Sequence, residues 1–266
     1  MPEADLGGVR IHYRFNGERG RPALVLSSSL GTSMGMWDPQ VEALGHHFCV
    51  LRYDARGHGA SSVPAGPYSI AQMGSDVLAL MSHVGVAKAH FCGLSMGGMV
   101  GLWLGIHAPA HFERIVVSNT AARIGPVDGW NARIAKVREG GMASIADAVL
   151  ARWFTAGFIA SGSPAVQQAR QMLLSAPAEG YAASCAAVRD ADLRDDVGRI
   201  SAATLVIGCT ADPVTTTTDA RYLVDRIDGA RYVELDAPHI SNMEQPQAYT
   251  AALLDFLTEQ GEARHG

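Results

Sequence analysis

Short, continuously apolar runs recur along the first half of the chain, and such runs are typical of strands buried on both faces. They lie at residues 23–26, 48–51 and 115–117, and a mainly apolar run lies at 87–92. Helical spacing of apolar positions separates them, most clearly at 37–44 and 70–84. Residues 8–15 alternate apolar and polar positions instead, which predicts a half-exposed, antiparallel edge strand. Alternating strands and helices predict an α/β fold with a mostly parallel central sheet and helices on both faces.

This alternation breaks at residue 121, where the strand-like runs end and the spacing becomes helical up to residue 200. Four helices are predicted there, at 128–139, 144–154, 164–175 and 179–189. Apolar strand runs resume at 204–208 and 230–235, and an amphipathic helix at 247–258 closes the chain. We therefore predict an α/β core made of residues 1–120 and 201–266, with residues 121–200 inserted as a helical cap.

The apolar run at 87–92 leads directly into Gly93-Leu94-Ser95-Met96-Gly97, and helical spacing follows. Gly-x-Ser-x-Gly between a strand and a helix is the pattern of a nucleophile elbow, in which glycines admit a crowded turn and the serine hydroxyl stands above the sheet edge. Ser95 is therefore the candidate nucleophile. A chance match in an ordinary Gly/Ser turn is the alternative, and the flanking strand and helix argue against it.

Two further candidates follow the last two strand-like runs, because the carboxyl ends of parallel strands meet at one edge of a sheet. Asp212 follows the run at 204–208, and His239 follows the run at 230–235. The order Ser95, Asp212, His239 is the order of the serine, acid and histidine in α/β-hydrolases. A serine hydroxyl is hardly ionised at neutral pH, so His239 would take its proton while Asp212 holds the imidazole in the useful tautomer.

Two other residues are alternatives for the acid and the base. Asp236 lies three residues before His239, although its place after a strand suits a turn or a cap better. His58 lies in the segment Arg56-Gly57-His58-Gly59, and loops of this composition usually hold turns together through hydrogen bonds. Asp236 is therefore the alternative acid and His58 the alternative base.

A serine hydrolase also needs two N–H donors for the oxyanion that develops on the attacked carbonyl. One is the N–H of Met96, directly after the nucleophile. The other belongs to the loop after the run at 23–26, where Leu30 is the expected donor. Leu30 and Met96 therefore form the predicted oxyanion hole.

Composition narrows the classes of function. The chain has 266 residues, 48% of them hydrophobic, and a formal net charge of -5, so it offers no basic field for a nucleic-acid backbone. It has no apolar run of about 18 residues for a membrane span, and the acidic residues near its start do not suit a secretory signal.

The cysteines lack metal-type spacing and are interpreted as reduced and mostly buried: Cys49, Cys92, Cys185 and Cys209. We predict a cytoplasmic protein without a nucleic-acid or membrane partner, and no sequence signal indicates its oligomeric state.

These motifs resemble those of the α/β-hydrolase superfamily and, within it, those of the 3-oxoadipate enol-lactonases. The superfamily features are the triad positions, Gly93-Leu94-Ser95-Met96-Gly97-Gly98 and Asp54-Ala55-Arg56-Gly57-His58-Gly59-Ala60-Ser61. The features particular to the lactonases are Ser29-Leu30-Gly31-Thr32, Met36-Trp37-Asp38-Pro39-Gln40, Ser118-Asn119-Thr120-Ala121-Ala122-Arg123-Ile124-Gly125, Arg152-Trp153-Phe154-Thr155 and Pro238-His239-Ile240-Ser241-Asn242-Met243-Glu244-Gln245-Pro246. Many relatives place His-Gly before the first oxyanion donor, whereas Ser28-Ser29 precede Leu30 here, as in the lactonases.

The resemblance implies hydrolysis of 3-oxoadipate enol-lactone to 3-oxoadipate in the breakdown of aromatic compounds, without a metal or organic cofactor. Ser95 would attack the lactone carbonyl and open the ring to an acyl-enzyme, and His239 would then activate water. A direct route, in which His239 activates water without an acyl-enzyme, is the alternative mechanism.

Other functions are compatible with the same residues, because a fold does not fix a substrate. Carboxylesterases, carbon–carbon bond hydrolases and cofactor-free haloperoxidases use the same triad and cap. A ligand receptor built on a hydrolase scaffold is the non-enzyme alternative, although it would not need all three of Ser95, Asp212 and His239.

The lactone that the resemblance implies carries a carboxylate, which a water-poor pocket must meet with donors. Most cations are expected to stay solvated, and the candidates that the cap offers are Arg123, Arg133, Lys136, Arg138 and Arg152. Arg133 is preferred because it follows Trp130 on a predicted helix, and Arg152 because it precedes the lactonase-like segment that begins at Trp153. Trp130 and Trp153 would then supply apolar walls, with ordinary cap packing as the alternative.

Overall fold

The computed structural model describes residues 2–259. The strands in this range are β1 (Glu3–Asp5), β2 (Arg10–Asn16), β3 (Ala23–Ser27), β4 (Cys49–Tyr53), β5 (Ala89–Leu94), β6 (Phe112–Ser118), β7 (Ala203–Cys209) and β8 (Arg231–Leu235). They form one sheet in the order β1-β2-β4-β3-β5-β6-β7-β8. Met1 and residues 260–266, which the predicted core includes, lie outside the described residues.

Pairing in this sheet changes from antiparallel to parallel after the first strands. β2 pairs antiparallel with β1 on one side and with β4 on the other. The remaining neighbours pair in parallel, so the prediction of a mostly parallel sheet is confirmed. The prediction that residues 8–15 form the edge strand is wrong, because β1 pairs with residues 10–12 on the outer side of β2 and is itself the edge. β1 has three residues, too few to leave a periodic pattern in the sequence.

The helices agree with the predicted ones within a few residues, apart from three that no pattern predicted. They are α1 (Asp38–Gly45), α2 (Ile70–His83), α3 (Met96–His107), α4 (Val127–Gly140), α5 (Ala146–Trp153), α6 (Ala156–Ala160), α7 (Pro164–Ser175), α8 (Ala178–Asp190), α9 (Thr217–Arg226), α10 (Ser241–Glu244) and α11 (Pro246–Leu257). The unpredicted helices are α6, α9 and α10, of which α6 and α10 are a single turn or little more. α9 begins in a run of four threonines, and threonine has a low helix propensity. The run therefore does not predict a helix, although Thr216 and Asp219 form a capping box at its start.

Helices cover both faces of the sheet, as predicted. α1 connects β3 to β4, toward the β1 edge, whereas α3 connects β5 to β6, toward the β8 edge. Right-handed crossovers that run in opposite directions place their helices on opposite faces. α2 packs against α3, and α11 packs against α1. The central strands lie between these two layers, and every residue of β5 is buried.

Five helices, α4 to α8, occupy most of the stretch between β6 and β7, residues 121–200, which we call the cap segment. Within it, α4 packs against α8, and α5 packs against α7. The first turn of α8 lies directly on the core, because a Cβ on Gly180 would come within 2.3 Å of the Gly57 carbonyl oxygen. The cap segment is thus seated on the loop that follows β4, at the carboxyl edge of the sheet.

Candidate active site

Ser95 lies at the sharp turn between β5 and α3, with φ 59° and ψ -116°. A positive φ is strained for a residue that carries a side chain. Two glycines make the turn possible: a Cβ on Gly93 would lie 2.0 Å from the Gly97 carbonyl oxygen, and a Cβ on Gly97 would lie 2.2 Å from that of Ser27. The Ser95 N–H donates to the carbonyl oxygen of Ser118, at the end of β6 (2.9 Å). This is the geometry of a nucleophile elbow.

Replacing Gly97 by alanine is expected to destabilise the elbow. The added methyl group would meet the backbone of Ser27, so β3 and α3 would have to separate. We expect a loss of about 1–3 kcal/mol in the free energy of unfolding, as for overpacking, and a fall of about 2–10 °C in melting temperature. Gly157→Ala is the matched control, because nothing lies within 4 Å of that position. Equal melting temperatures for the two variants would contradict this reading of the turn.

The side chains of Ser95, His239 and Asp212 are buried together and joined by two hydrogen bonds. Ser95 Oγ lies 2.9 Å from His239 Nε2, and His239 Nδ1 lies 2.8 Å from Asp212 Oδ2. Each residue comes from the loop at the carboxyl end of a different strand, β5, β8 or β7. With Nδ1 donating to the carboxylate, Nε2 is free to accept the serine proton. The arrangement is that of a nucleophile, its general base and the acid that orients the base.

Asp212 is held by more than the histidine. Its Oδ1 accepts the N–H groups of Val214 (2.7 Å) and Thr215 (3.1 Å). Its Oδ2 accepts from Thr215 Oγ1 (2.8 Å) and Asn119 Nδ2 (3.0 Å). Burial raises the pKa of this carboxyl, but the charge of His239 and the hydrogen bonds outweigh burial and lower the pKa to about 2. Asp212 is therefore ionised at neutral pH, ready to stabilise a protonated His239.

Asn119, directly after β6, links the acid to the loop that carries the histidine. Its Nδ2 donates to Asp212 Oδ2, and its Oδ1 accepts from Ser241 Oγ (2.7 Å). Asn119 has a positive φ of 45°, a conformation that Asn adopts more readily than most residues. The sequence predicts no individual role for Asn119 or Ser241. Asn119 could have been singled out as a polar residue directly after a parallel strand, because such residues lie at the sheet edge where active sites form.

The alternative acid and base lie outside this chain of hydrogen bonds. Asp236 is exposed, and its Oδ1 accepts from Thr210 Oγ1 (2.9 Å). His58 is buried; its Nδ1 lies 3.2 Å from the Arg56 carbonyl oxygen, and its Nε2 accepts the Gly31 N–H (2.9 Å). Both side chains thus hold loops together through hydrogen bonds.

The predicted oxyanion donors are Leu30, in the loop after β3, and Met96, the first residue of α3. The pairing of β3 with β5 places these two segments side by side at the sheet edge. The N–H of Met96 belongs to the first turn of α3, where backbone donors have no partner within the helix. Leu30 lines the cavity above the nucleophile. The next N–H of its loop, from Gly31, is bound to His58. The oxyanion roles of Leu30 and Met96 fit this geometry and stay a prediction.

A cavity opens above Ser95, between the core and the cap segment. Trp130 Nε1 donates to the Ile124 carbonyl oxygen (2.7 Å), which fixes one wall. The guanidinium of Arg133 lies over the Trp130 ring, 4.7 Å from its centre. All four cap residues predicted to bind substrate line this cavity, with several apolar neighbours: Trp130, Arg133, Arg152, Trp153, Ile124, Val149, Tyr181 and Val188.

The five candidate cations of the cap segment divide into two groups. Two have acidic partners: Arg123 with Asp192 (3.6 Å) and Arg138 with Glu179 (3.3 Å). Arg133, Lys136 and Arg152 line an outer cavity that continues the first, and no carboxylate within the described range pairs with them. Burial and the nearby charge of Arg133 lower the pKa of Arg152. Cations that face each other without a counter-ion favour an anionic ligand between them.

A metal centre and a membrane span are both absent from residues 2–259. No group of three or more His, Cys, Asp or Glu side chains is placed to hold a metal ion there. No helix of that part is long and apolar enough to cross a bilayer. The four cysteines are free and buried, as the sequence predicted.

Comparison with known proteins finds relatives along most of the chain. A family model for the alpha/beta hydrolase fold matches residues 22–246. The 3-oxoadipate enol-lactonase 2 of Acinetobacter baylyi is 46% identical over 245 residues, which are 92% of this chain and 92% of that protein. The 3-oxoadipate enol-lactonase 1 of the same species is 42% identical over 94% of each chain.

A solved structure agrees with this relationship. The crystal structure of the enol-lactonase from Burkholderia xenovorans LB400 has a TM-score of 0.96 and 48% sequence identity, and the match covers 97% of this chain and 100% of that chain. The predicted fold and the resemblance to the lactonases are therefore both confirmed. The chain belongs to the α/β-hydrolase family, in the group that contains the 3-oxoadipate enol-lactonases.

Proposed function

We propose that the protein hydrolyses 3-oxoadipate enol-lactone to 3-oxoadipate, with Ser95 as the nucleophile, His239 as the base and Asp212 as the acid. The observation that carries the proposal is the hydrogen-bonded chain of these side chains beside a cavity lined by two arginines. The identity to proteins named as enol-lactonases supports the same substrate. We also propose that residues 121–200 act as a cap over the core, because their helices supply most of the cavity wall.

The first half of the reaction uses the hydrogen bonds in order. Ser95 Oγ attacks the lactone carbonyl carbon while its proton passes to His239 Nε2. The carbonyl oxygen becomes an oxyanion, which accepts the N–H groups of Leu30 and Met96. The ring carbon–oxygen bond then breaks, and the leaving enolate receives the proton from His239. Ring opening therefore yields an acyl-enzyme and a neutral histidine.

The second half of the reaction repeats these steps with water. His239 Nε2 takes a proton from water as the water oxygen attacks the acyl carbonyl, and the proton then returns to Ser95 Oγ. The product leaves with a second carboxyl group in place of the lactone, and this group releases its proton to solvent as a carboxylate forms. The hydrogen bond of 2.9 Å between Ser95 and His239 supports this route over direct activation of water, because the serine oxygen is the group that faces Nε2.

Arg133 and Arg152 are the proposed partners of the carboxylate that the lactone carries outside its ring. They line the cavity without an acidic partner among the described residues, and Trp130 and Trp153 provide apolar walls beside them. Replacing either arginine by methionine is expected to raise KM for the enol-lactone about tenfold or more, as for the loss of a charged hydrogen bond of about 1.5–3 kcal/mol. KM for a neutral lactone should change less than about twofold. Steady-state kinetics with both lactones test the proposal.

Arg138→Met is the matched control for these variants. Arg138 lies on α4, as Arg133 does, but pairs with Glu179 outside the cavity, so KM should not change. Equal losses on the charged and the neutral lactone would indicate structural damage. An unchanged KM in both Arg133→Met and Arg152→Met would contradict this site for the carboxylate.

We further infer that the enzyme works in the cytoplasm on a small molecule, without a nucleic-acid or membrane partner. The free and buried state of all four cysteines supports a reducing compartment. The net charge of -5 gives no support to binding of nucleic acid. The narrow cavity above the nucleophile suits a small substrate.

A further inference from the structure

His58 joins two loops at the carboxyl edge of the sheet. It lies in the loop after β4, and its Nε2 accepts the N–H of Gly31, in the loop after β3, at 2.9 Å. Its Nδ1 donates to the Arg56 carbonyl oxygen at 3.2 Å. An N–H group can only donate, so Nε2 carries no proton and the imidazole is the neutral tautomer with its proton on Nδ1. Burial lowers the pKa of His58, which favours the neutral form.

The bond to His58 fixes one of the two peptide planes that meet at Leu30. The plane between Leu30 and Gly31 is held by the imidazole through the Gly31 N–H. The plane between Ser29 and Leu30, which carries the Leu30 N–H, is held through the Ser29 carbonyl oxygen. This oxygen accepts from Thr32 N–H (3.2 Å) and Thr32 Oγ1 (2.7 Å). With both rigid planes held, the direction of the Leu30 N–H is set.

The cap segment also contacts this loop. Gly31 has φ 81°, and a Cβ there would lie 2.9 Å from both Leu173 Cδ1 and Tyr181 Cε2. Such apolar contacts limit movement of the loop toward α7 and α8 but leave a peptide plane free to rotate. A hydrogen bond is directional and restrains that rotation. The imidazole of His58 therefore supplies the restraint that packing cannot.

We propose that His58 is a positioning residue for the reaction: its neutral imidazole holds the Gly31 amide so that the Leu30 N–H points at the oxyanion formed on attack by Ser95. The inference rests on the proposed function, in which Leu30 is an oxyanion donor. The oxyanion exists only once the carbonyl has been attacked. A misdirected Leu30 N–H therefore lowers kcat and leaves KM nearly unchanged.

Two amide variants separate the two ring nitrogens of His58. Glutamine carries its amide at the distance of Nε2 and can accept the Gly31 N–H, whereas asparagine carries its amide at the distance of Nδ1 and cannot reach it. We expect His58→Asn to lower kcat for the enol-lactone about 10–100-fold, less than the loss of about 10²–10³ for removal of an oxyanion donor. KM should stay within about twofold, and His58→Gln should keep kcat within about threefold of wild type.

Phosphonylation of Ser95 by a fluorophosphonate is the second readout, because it builds negative charge in the same oxyanion hole and needs no lactone. Its rate constant should fall in His58→Asn by a factor similar to the fall in kcat. His90→Asn is the matched control, because His90 is also a buried histidine and lies on β5. This variant measures how much the loss of any buried imidazole lowers the two rates by damaging the fold. His90→Asn should leave both rates unchanged.

Equal kcat values and equal phosphonylation rates in His58→Asn and His58→Gln would overturn the inference. A loss in His58→Asn that is confined to KM or to the melting temperature would overturn it as well. If the wild-type protein fails to open the enol-lactone but phosphonylation still separates the two variants, the proposed substrate is wrong and the role of His58 stands. If the wild-type protein opens the lactone but phosphonylation does not separate the variants, the substrate stands and the role of His58 is wrong.

Discussion

Replacing Ser95 by alanine is expected to lower kcat for the enol-lactone by at least about a thousandfold. The change removes the oxygen that lies 2.9 Å from His239 Nε2. Alanine tolerates the positive φ of the elbow about as well as serine does, so the fold should persist. Steady-state kinetics of the variant and the wild-type enzyme, with melting temperatures measured on the same samples, give the loss.

His239→Ala is expected to cause a loss of the same order, because the nucleophile and its base act as one unit. A fluorophosphonate should label the wild-type protein and leave Ser95→Ala unlabelled. A folded Ser95→Ala variant with near-normal turnover would contradict the assignment of the nucleophile. It would favour the route in which His239 activates water directly.

Asp212→Asn is expected to lower kcat by about 10³–10⁴. The N–H groups of Val214 and Thr215 face Oδ1, so the amide oxygen of asparagine takes that place and its NH₂ group faces His239. The NH₂ group can only donate, so Nδ1 must accept and the ring proton moves to Nε2. Nε2 then cannot take the proton of Ser95. Kinetics with the enol-lactone measure the effect.

Asp236→Asn is the matched control for the acid. Asp236 is exposed and bonds to Thr210, so kcat should stay within about threefold of wild type. The reverse pattern, with Asp236→Asn severe and Asp212→Asn mild, would assign the acid to Asp236. Both changes remove one negative charge, so the comparison separates a specific role from a change in net charge.

The triad could be predicted from the sequence because each member closely follows a run that is recognisable as a strand. Ser95, Asp212 and His239 come after β5, β7 and β8, and the carboxyl ends of parallel strands meet at one sheet edge. Order along the chain is then enough to bring the three side chains together. The elbow could be predicted equally well, since Gly93 and Gly97 flank Ser95 in one short motif between a strand and a helix.

The hydrogen bonds that hold the triad in place could not be predicted in the same way. Asn119 contacts Asp212 and Ser241 only because three loops converge, and hydrophobic periodicity says nothing of distances between loops. The cap cations show the same limit. The sequence contains the five candidates but does not show their contacts: Arg123 pairs with Asp192, whereas Arg133 lines the cavity.

The central claim is that this site opens a lactone that carries a carboxylate, and kcat/KM of the wild-type enzyme tests it most directly. The measurement compares 3-oxoadipate enol-lactone with a neutral lactone of the same ring and with an open-chain ester. We expect about 10⁴ M⁻¹s⁻¹ or more for the enol-lactone, and a value at least about tenfold above that of the neutral lactone. A value for the enol-lactone at or below that of the neutral lactone or the open-chain ester would contradict the account.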